Sequence, residues 1–175
     1  MSDTVRALSE TTASGAGPRW FFASLAEVKL TRQASGDQMS IVEISSPPGD
    51  MPPLHVHRTD DEAWVVLEGE VSFFAGSNEP IRVAAGGVAF GPRGVAHTYR
   101  VESDVPARIL AVCTPGDFAA FVIAASRPAD RAELPPPPPG PPSEAEVAAV
   151  TALAAERGID LLGPPGALPG DATAH

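Results

Sequence analysis

Short runs rich in Val, Ile, Phe and Leu follow one another from residue 20 to residue 114, each broken by Gly, Pro, Asp or Asn. This punctuation restricts the chain to many short strands joined by turns. The expected strands are 40–45, 53–57, 62–68, 71–75, 80–83, 88–90, 97–101 and 107–113. Eight or more strands at this spacing point to an all-β sandwich or barrel rather than to alternating strands and helices. Twenty prolines and sixteen glycines in 175 residues argue against a helical bundle, because Pro removes a helix donor and Gly loses the most backbone entropy. With 43% hydrophobic residues, the chain can still bury one core.

Four regions follow from the composition. Residues 1–18 are small and polar and read as a flexible arm, and residues 19–126 hold the β domain. Within the latter, Thr114-Pro115-Gly116-Asp117 resembles a helix start, with Thr114 as the cap and Pro115 as the first helical residue. Phe118, Phe121, Val122 and Ala125 then share one face, so a short helix should pack on the strands. Residues 127–142 are a proline-rich spacer. Residues 143–175 form a C-terminal helix and tail: Ser143 and Glu146 make a capping box, the helix runs to about Arg157, and Gly158 ends it. Val147, Val150 and Leu153 form its modest apolar stripe, which should dock on the domain or on a second subunit, and the chain from Gly163 onward reads as frayed.

The net charge of −10 and a pI near 4.7, with no cluster of Lys and Arg, argue against nucleic acid as a partner. The single cysteine, Cys113, sits in an apolar run and reads as a packed thiol. No segment is apolar for long enough to span a bilayer, and the N-terminus lacks a signal pattern, so a cytoplasmic protein is expected.

The chemistry resides in three of the four histidines. His55 and His57 flank Val56 in an expected strand, where alternation sends both imidazoles to one face. Glu62 opens the next strand and shares parity with Trp64 and Val66. His97 starts a later strand and shares a face with Tyr99 and Val101, leaving Thr98 and Arg100 on the other. If these faces converge inside a barrel, three imidazoles and one carboxylate suit a divalent first-row cation and leave positions open for substrate. Iron, manganese, nickel, cobalt and zinc all fit this donor set.

At these residues the chain resembles the cupin superfamily. Its first motif, G(X)5HXH(X)3,4E(X)6G, is matched by Gly49, His55, His57, Glu62 and Gly69. Its second, G(X)5PXG(X)2H(X)3N, is matched by Gly86, Pro92, Gly94 and His97, with Val101 in place of the final asparagine. The resemblance implies a jelly-roll β-barrel in which His55, His57, Glu62 and His97 hold a metal. Asp61 competes for the acidic position, but only Glu62 gives the six-residue spacing to Gly69. Residues 52–57, with Asp61-Glu62 and residues 67–70, are similar to bacterial single-domain cupins of the quercetin 2,3-dioxygenase kind.

That likeness implies a metal-dependent dioxygenase that opens a flavonol or related aromatic enol with O2, Glu62 serving as ligand and base. Two alternatives use the same scaffold: a metal-dependent isomerase, cyclase or lyase acting on an enolisable small molecule, and a non-catalytic cupin that binds a metal or small molecule. Trp64, Phe73, Phe90 and Tyr99 are candidates either for a substrate pocket or for plain core, Tyr99 being favoured by its parity with His97. Cupins commonly pair through sheet edges, so a homodimer is expected.

Overall fold

The computed structural model describes residues 17–173. Two antiparallel sheets face each other. The first has seven strands: β1 (Pro18–Phe21), β2 (Ser24–Leu30), β3 (Ser40–Ser46), β5 (Asp61–Glu68), β8 (Val88–Gly91), β10 (Ala107–Thr114) and β11 (Arg127–Pro128), in the order β11-β1-β2-β3-β10-β5-β8. The second has five: β4 (Pro53–His57), β6 (Glu70–Ala75), β7 (Ile81–Ala84), β9 (His97–Val101) and β12 (Ile159–Pro165), in the order β12-β4-β9-β6-β7. This is a jelly-roll arrangement in which hydrogen bonding does not join the sheets into a closed barrel.

Alternation along each strand decides what enters the space between the sheets. On β10 the inward residues are Ala107, Ile109, Ala111 and Cys113, and on β5 they are Glu62, Trp64 and Val66, all buried. Val42 and Ile44 of β3 and Val71 and Phe73 of β6 complete the core. Each buried Val, Ile or Phe among them contributes on the order of 1.5–3 kcal/mol relative to exposure. Cys113 is a free, fully buried thiol. Burial first, then the charges of Glu62 and Asp60, push its pKa well up, so it remains protonated and inert.

The short helix α1 (Phe118–Ala125) packs Phe118, Phe121 and Val122 inward as expected, but its start differs. Thr114 is the last residue of β10, paired with Asp61, so its hydroxyl does not cap the helix. Asp117 occupies the cap position without a side-chain bond, and the buried Asp60 serves instead: its Oδ2 accepts the backbone N–H of Gly116 at 3.1 Å and of Asp117 at 2.8 Å. Gly116 has φ +104, and a Cβ there would run into the backbone of Ser40 and Met39, so only glycine fits this turn.

The second helix, α2 (Glu144–Glu156), carries the full capping box: Glu146 N–H donates to Ser143 Oγ, and Ser143 N–H donates to Glu146 Oε2 at 2.8 Å. Its Ala154 is buried, with Val150 and Leu153 against the core, whereas Val147 is exposed. The chain beyond α2 is not frayed at Gly163. β12 runs to Pro165 and pairs with β4, and a 3-10 turn follows at Pro169–Thr173, where Gly170 N–H donates to Asn78 Oδ1 at 2.7 Å. The expected arm lies outside the described residues up to residue 16, and Pro18 already belongs to β1.

Candidate metal centre

The β4 strand contributes His55 and His57, β5 contributes Glu62, and β9 contributes His97 opposite His55. One ligand atom from each of the four lies within 4.8 Å of every other. The imidazole centroids are 4.4 Å apart for His55 and His97, 5.3 Å for His55 and His57, and 5.4 Å for His57 and His97. Glu62 Oε2 stands 3.2 Å from His57 Nε2 and 3.3 Å from His97 Nε2.

Outer partners orient these rings. Nδ1 of His97 lies 2.8 Å from the Val95 carbonyl, and Nδ1 of His55 lies 2.9 Å from the Pro53 carbonyl. A carbonyl only accepts, so each Nδ1 carries the hydrogen and each Nε2 lone pair is left for the site. The buried Nε2 atoms of His57 and His97, and Oε2 of Glu62, make no well-formed hydrogen bond among the described residues. Such atoms are expensive to bury without a partner, and a divalent cation would satisfy all of them together.

The electrostatics fit the same group. Burial, the largest influence on Glu62, opposes ionisation, but the two imidazoles of His57 and His97, 3.2 and 3.3 Å from its Oε2, prevail and hold its carboxyl far below the usual range. For His57 burial also acts first, against charge, yet the Glu62 carboxylate raises its pKa. Burial, then the two neighbouring imidazoles, lower His55 to about 3. A cation therefore competes with a proton on His57 and meets a ready ligand in His55.

Beside this cluster lies a cavity of about 50 Å3. Glu62, His55 and Thr98 are among its polar lining residues. Its walls carry six aromatic rings, those of Phe21, Phe22, Trp64, Tyr99, Phe118 and Phe121, together with Ile44, Pro52, Pro53 and, from β12, Ile159 and Leu161. Trp64 also sets its ring edge-on to His97 at 5.1 Å. The Tyr99 hydroxyl pairs with Ser46 Oγ at 2.8 Å, which continues to Ser24 at 2.9 Å and Asp50 at 3.0 Å. Burial, then the Asp50 charge, raise the Tyr99 pKa, so the phenol stays protonated.

Two of the aromatic candidates lie elsewhere. Phe90 is 57% exposed, because β8 pairs Phe90 with outward-facing Ala63, while Ala89 and Gly91 face Trp64 and Glu62. Phe73 is buried behind the cavity, stacked on Trp64 at 5.0 Å. Asp61 faces away from the cluster: its carboxylate takes the guanidinium of Arg93 at 2.6 and 3.1 Å and the Arg93 N–H at 2.9 Å. Thr98 points away from His97 as its parity requires, yet it is buried, donating to the Pro52 carbonyl at 2.8 Å.

Sequence reasoning missed Gly91, Asp60, Phe22 and Leu161. A Cβ at Gly91 would lie 2.7 Å from Trp64 and 3.3 Å from His97 Nδ1, a closeness visible only once β8 is paired with β5. Phe22 and Leu161 reach the cavity through pairings distant in sequence, for which no local signal exists.

The cupin domain model matches residues 42–113, the span that holds all four clustered side chains. Quercetin 2,3-dioxygenase of Bacillus subtilis strain 168 is 33% identical over 124 residues, 70% of this chain and 36% of that protein. The match thus spans only about a third of this relative's length. The structure of TT1209 from Thermus thermophilus is 35% identical, covering 46% of this chain and 75% of that one, with a TM-score of 0.43. Oxalate decarboxylase from Lactobacillus farciminis, solved as a formate complex, superposes with a TM-score of 0.50 at 20% identity, over 57% of this chain and 31% of that one, and shares the fold. Motifs, sheet topology, the match to the cupin domain model and the likeness to the Bacillus subtilis protein together make the chain a member of the cupin superfamily.

Proposed function

We propose that this cupin is a metal-dependent dioxygenase acting on a flavonol or a related aromatic enol. The observation that carries this reading is the adjacency of two unlike surfaces: a cluster of four convergent ligand atoms, of which those of His55 and Glu62 belong to cavity-lining residues, and six aromatic rings around the rest of the cavity. The 33% identity to a quercetin 2,3-dioxygenase supports it. His55, His57, Glu62 and His97 would hold the ion, which when bound polarises an enol oxygen and lets the organic anion react with O2.

The chain's own residues do the rest. Glu62 is the carboxylate of the cavity wall, and in this reading it takes the enol proton. Phe118, packed against His57 at 6.1 Å, and Trp64, against His97, exclude water from the imidazoles. The aromatic walls orient a flat ring by offset or edge contact. Metal analysis of the purified protein, combined with an oxygen electrode and quercetin, tests the reading. Oxygen uptake dependent on both metal and quercetin supports it, and a metal-replete protein that consumes no oxygen overturns it.

A second reading, an isomerase, cyclase or lyase on a small enolisable molecule, is supported by the size of the cavity, which suits a few atoms. Product formation without oxygen uptake separates it from the first. Val88 and Phe90, exposed on the edge strand β8, support pairing of two copies through that edge, which sedimentation equilibrium checks.

A further inference from the structure

Roughly three to five water molecules would fill the 50 Å3 cavity beside Glu62, whereas pockets that enclose drug-sized ligands run to roughly 300–1,000 Å3. A planar aromatic molecule enters only if part of the wall moves. Most of the wall is fastened. Ile44, Trp64 and Tyr99 sit on paired strands, Phe118 and Phe121 are buried in α1, and Leu161 is held in β12 opposite His55.

Phe22 differs in three ways. It is 46% exposed although it lines the cavity. It stands outside the ladder, in the Phe22–Ala23 turn that joins β1 to β2 beyond the pair Phe21 and Ser24. Its backbone has φ +52, a region that Gly or Asn adopts readily and a bulky residue only under strain. The ring leans on the mouth, with its centroid 4.4 Å from that of Phe21 and 6.5 Å from that of Phe121. A two-residue hairpin turn calls for φ > 0 at this position, so the half-exposed Phe22 ring sits on the part of the cavity wall that no ladder bond holds.

We propose that Phe22 is the gate and size filter of this cavity: its ring moves outward with the Phe22–Ala23 turn to admit a planar aromatic ligand, then returns to stack on it. The ligand class rests on the function proposed above, while the gate rests on the cavity and the turn.

Trp64 forms part of the wall and is 4% exposed, so its emission reports opening without any substrate. In a Trp20→Phe background of the metal-loaded protein, Phe22→Ala raises acrylamide quenching of Trp64 severalfold, and Phe90→Ala, which removes an exposed ring from the outer face, leaves it unchanged. Should Trp20→Phe loosen the fold, the 19F resonance of fluorotryptophan at position 64, with and without the Phe22 ring in the otherwise unaltered chain, gives the same reading through its solvent isotope shift between H2O and D2O. Equal quenching with and without the Phe22 ring overturns the gate.

A second arm, without oxygen, mixes the same proteins with quercetin and with maltol, which carry the same hydroxyketone on a large and a small frame. Phe22→Ala speeds quercetin association severalfold and leaves maltol unchanged, and an equal change for both overturns the size filter. If quercetin fails to bind while Phe22→Ala still exposes Trp64, the gate stands and the flavonol reading falls. If quercetin binds alike to both proteins and Trp64 is unaffected, the gate falls and the flavonol reading stands.

Discussion

Asp60 Oδ2 accepts the backbone N–H of Asp117 at 2.8 Å across 57 positions of sequence, and so ties the turn after the histidine strand β4 to the residue that precedes Phe118 of the aromatic wall. The same oxygen takes the N–H of Gly116. Asp60 is 3% exposed, so both donors lose their partner in a dry place when the carboxylate is removed.

Asp60→Ala should therefore cost about 2–4 kcal/mol, since bonds to a charged group contribute about 1.5–3 kcal/mol and the orphaned donors add a desolvation penalty. Melting should fall by roughly 5–10 °C, measured by circular dichroism. Phe118 moves with the turn, so metal retention should weaken together with stability.

Glu62→Gln should preserve the two sheets, because the amide keeps the size of the side chain, but it removes the one negative ligand. Metal retention should fall by at least about 10- to 100-fold, the loss that even an outer-sphere change produces. Turnover should vanish with it. Elemental analysis and competition with a chromophoric chelator measure the first effect. Full metal content with full activity in this variant would falsify the double role of Glu62.

Asp61 tests the alternative ligand and the acid limit together. Hydrogen bonds from the Arg93 side chain, then from its backbone, hold Asp61 at about 2, below its ordinary 3.8. A depressed carboxylate contributes stability that is present above its unfolded pKa and disappears as the pH falls through the folded value. Asp61→Asn should lower the melting temperature slightly near neutrality, and the gap to the parent should close as the pH falls from about 4 toward 2. Metal content should not change at neutral pH.

Ser143→Ala removes the acceptor for Glu146 N–H and half of the capping box. The expected cost is about 1 kcal/mol, seen in urea unfolding. The proposed metal ligands lie on β4, β5 and β9, so elemental analysis should find the metal complement intact.

The β architecture was legible in the chain because its signals are local. Alternation put Glu62, Trp64 and Val66 on one face and His97 and Tyr99 on another, and the sheets bury those faces. Ser143, Glu146 and Gly158 bounded α2 through contacts within a few residues. Thr114 was misleading for the same reason: a local capping pattern was overridden by ladder pairing with Asp61, and the cap passed to Asp60.

The sequence by itself determined the period of the strands, the placement of two histidines on one face, and the ends of the last helix, since each depends on neighbours along the chain. Tertiary structure alone decided that Phe90 faces outward, that Phe22 and Leu161 wall the cavity, and that β12 lies beside the histidine strand. Those outcomes depend on which strand pairs with which, in what register, and one residue of register carries a side chain from the interior to the solvent.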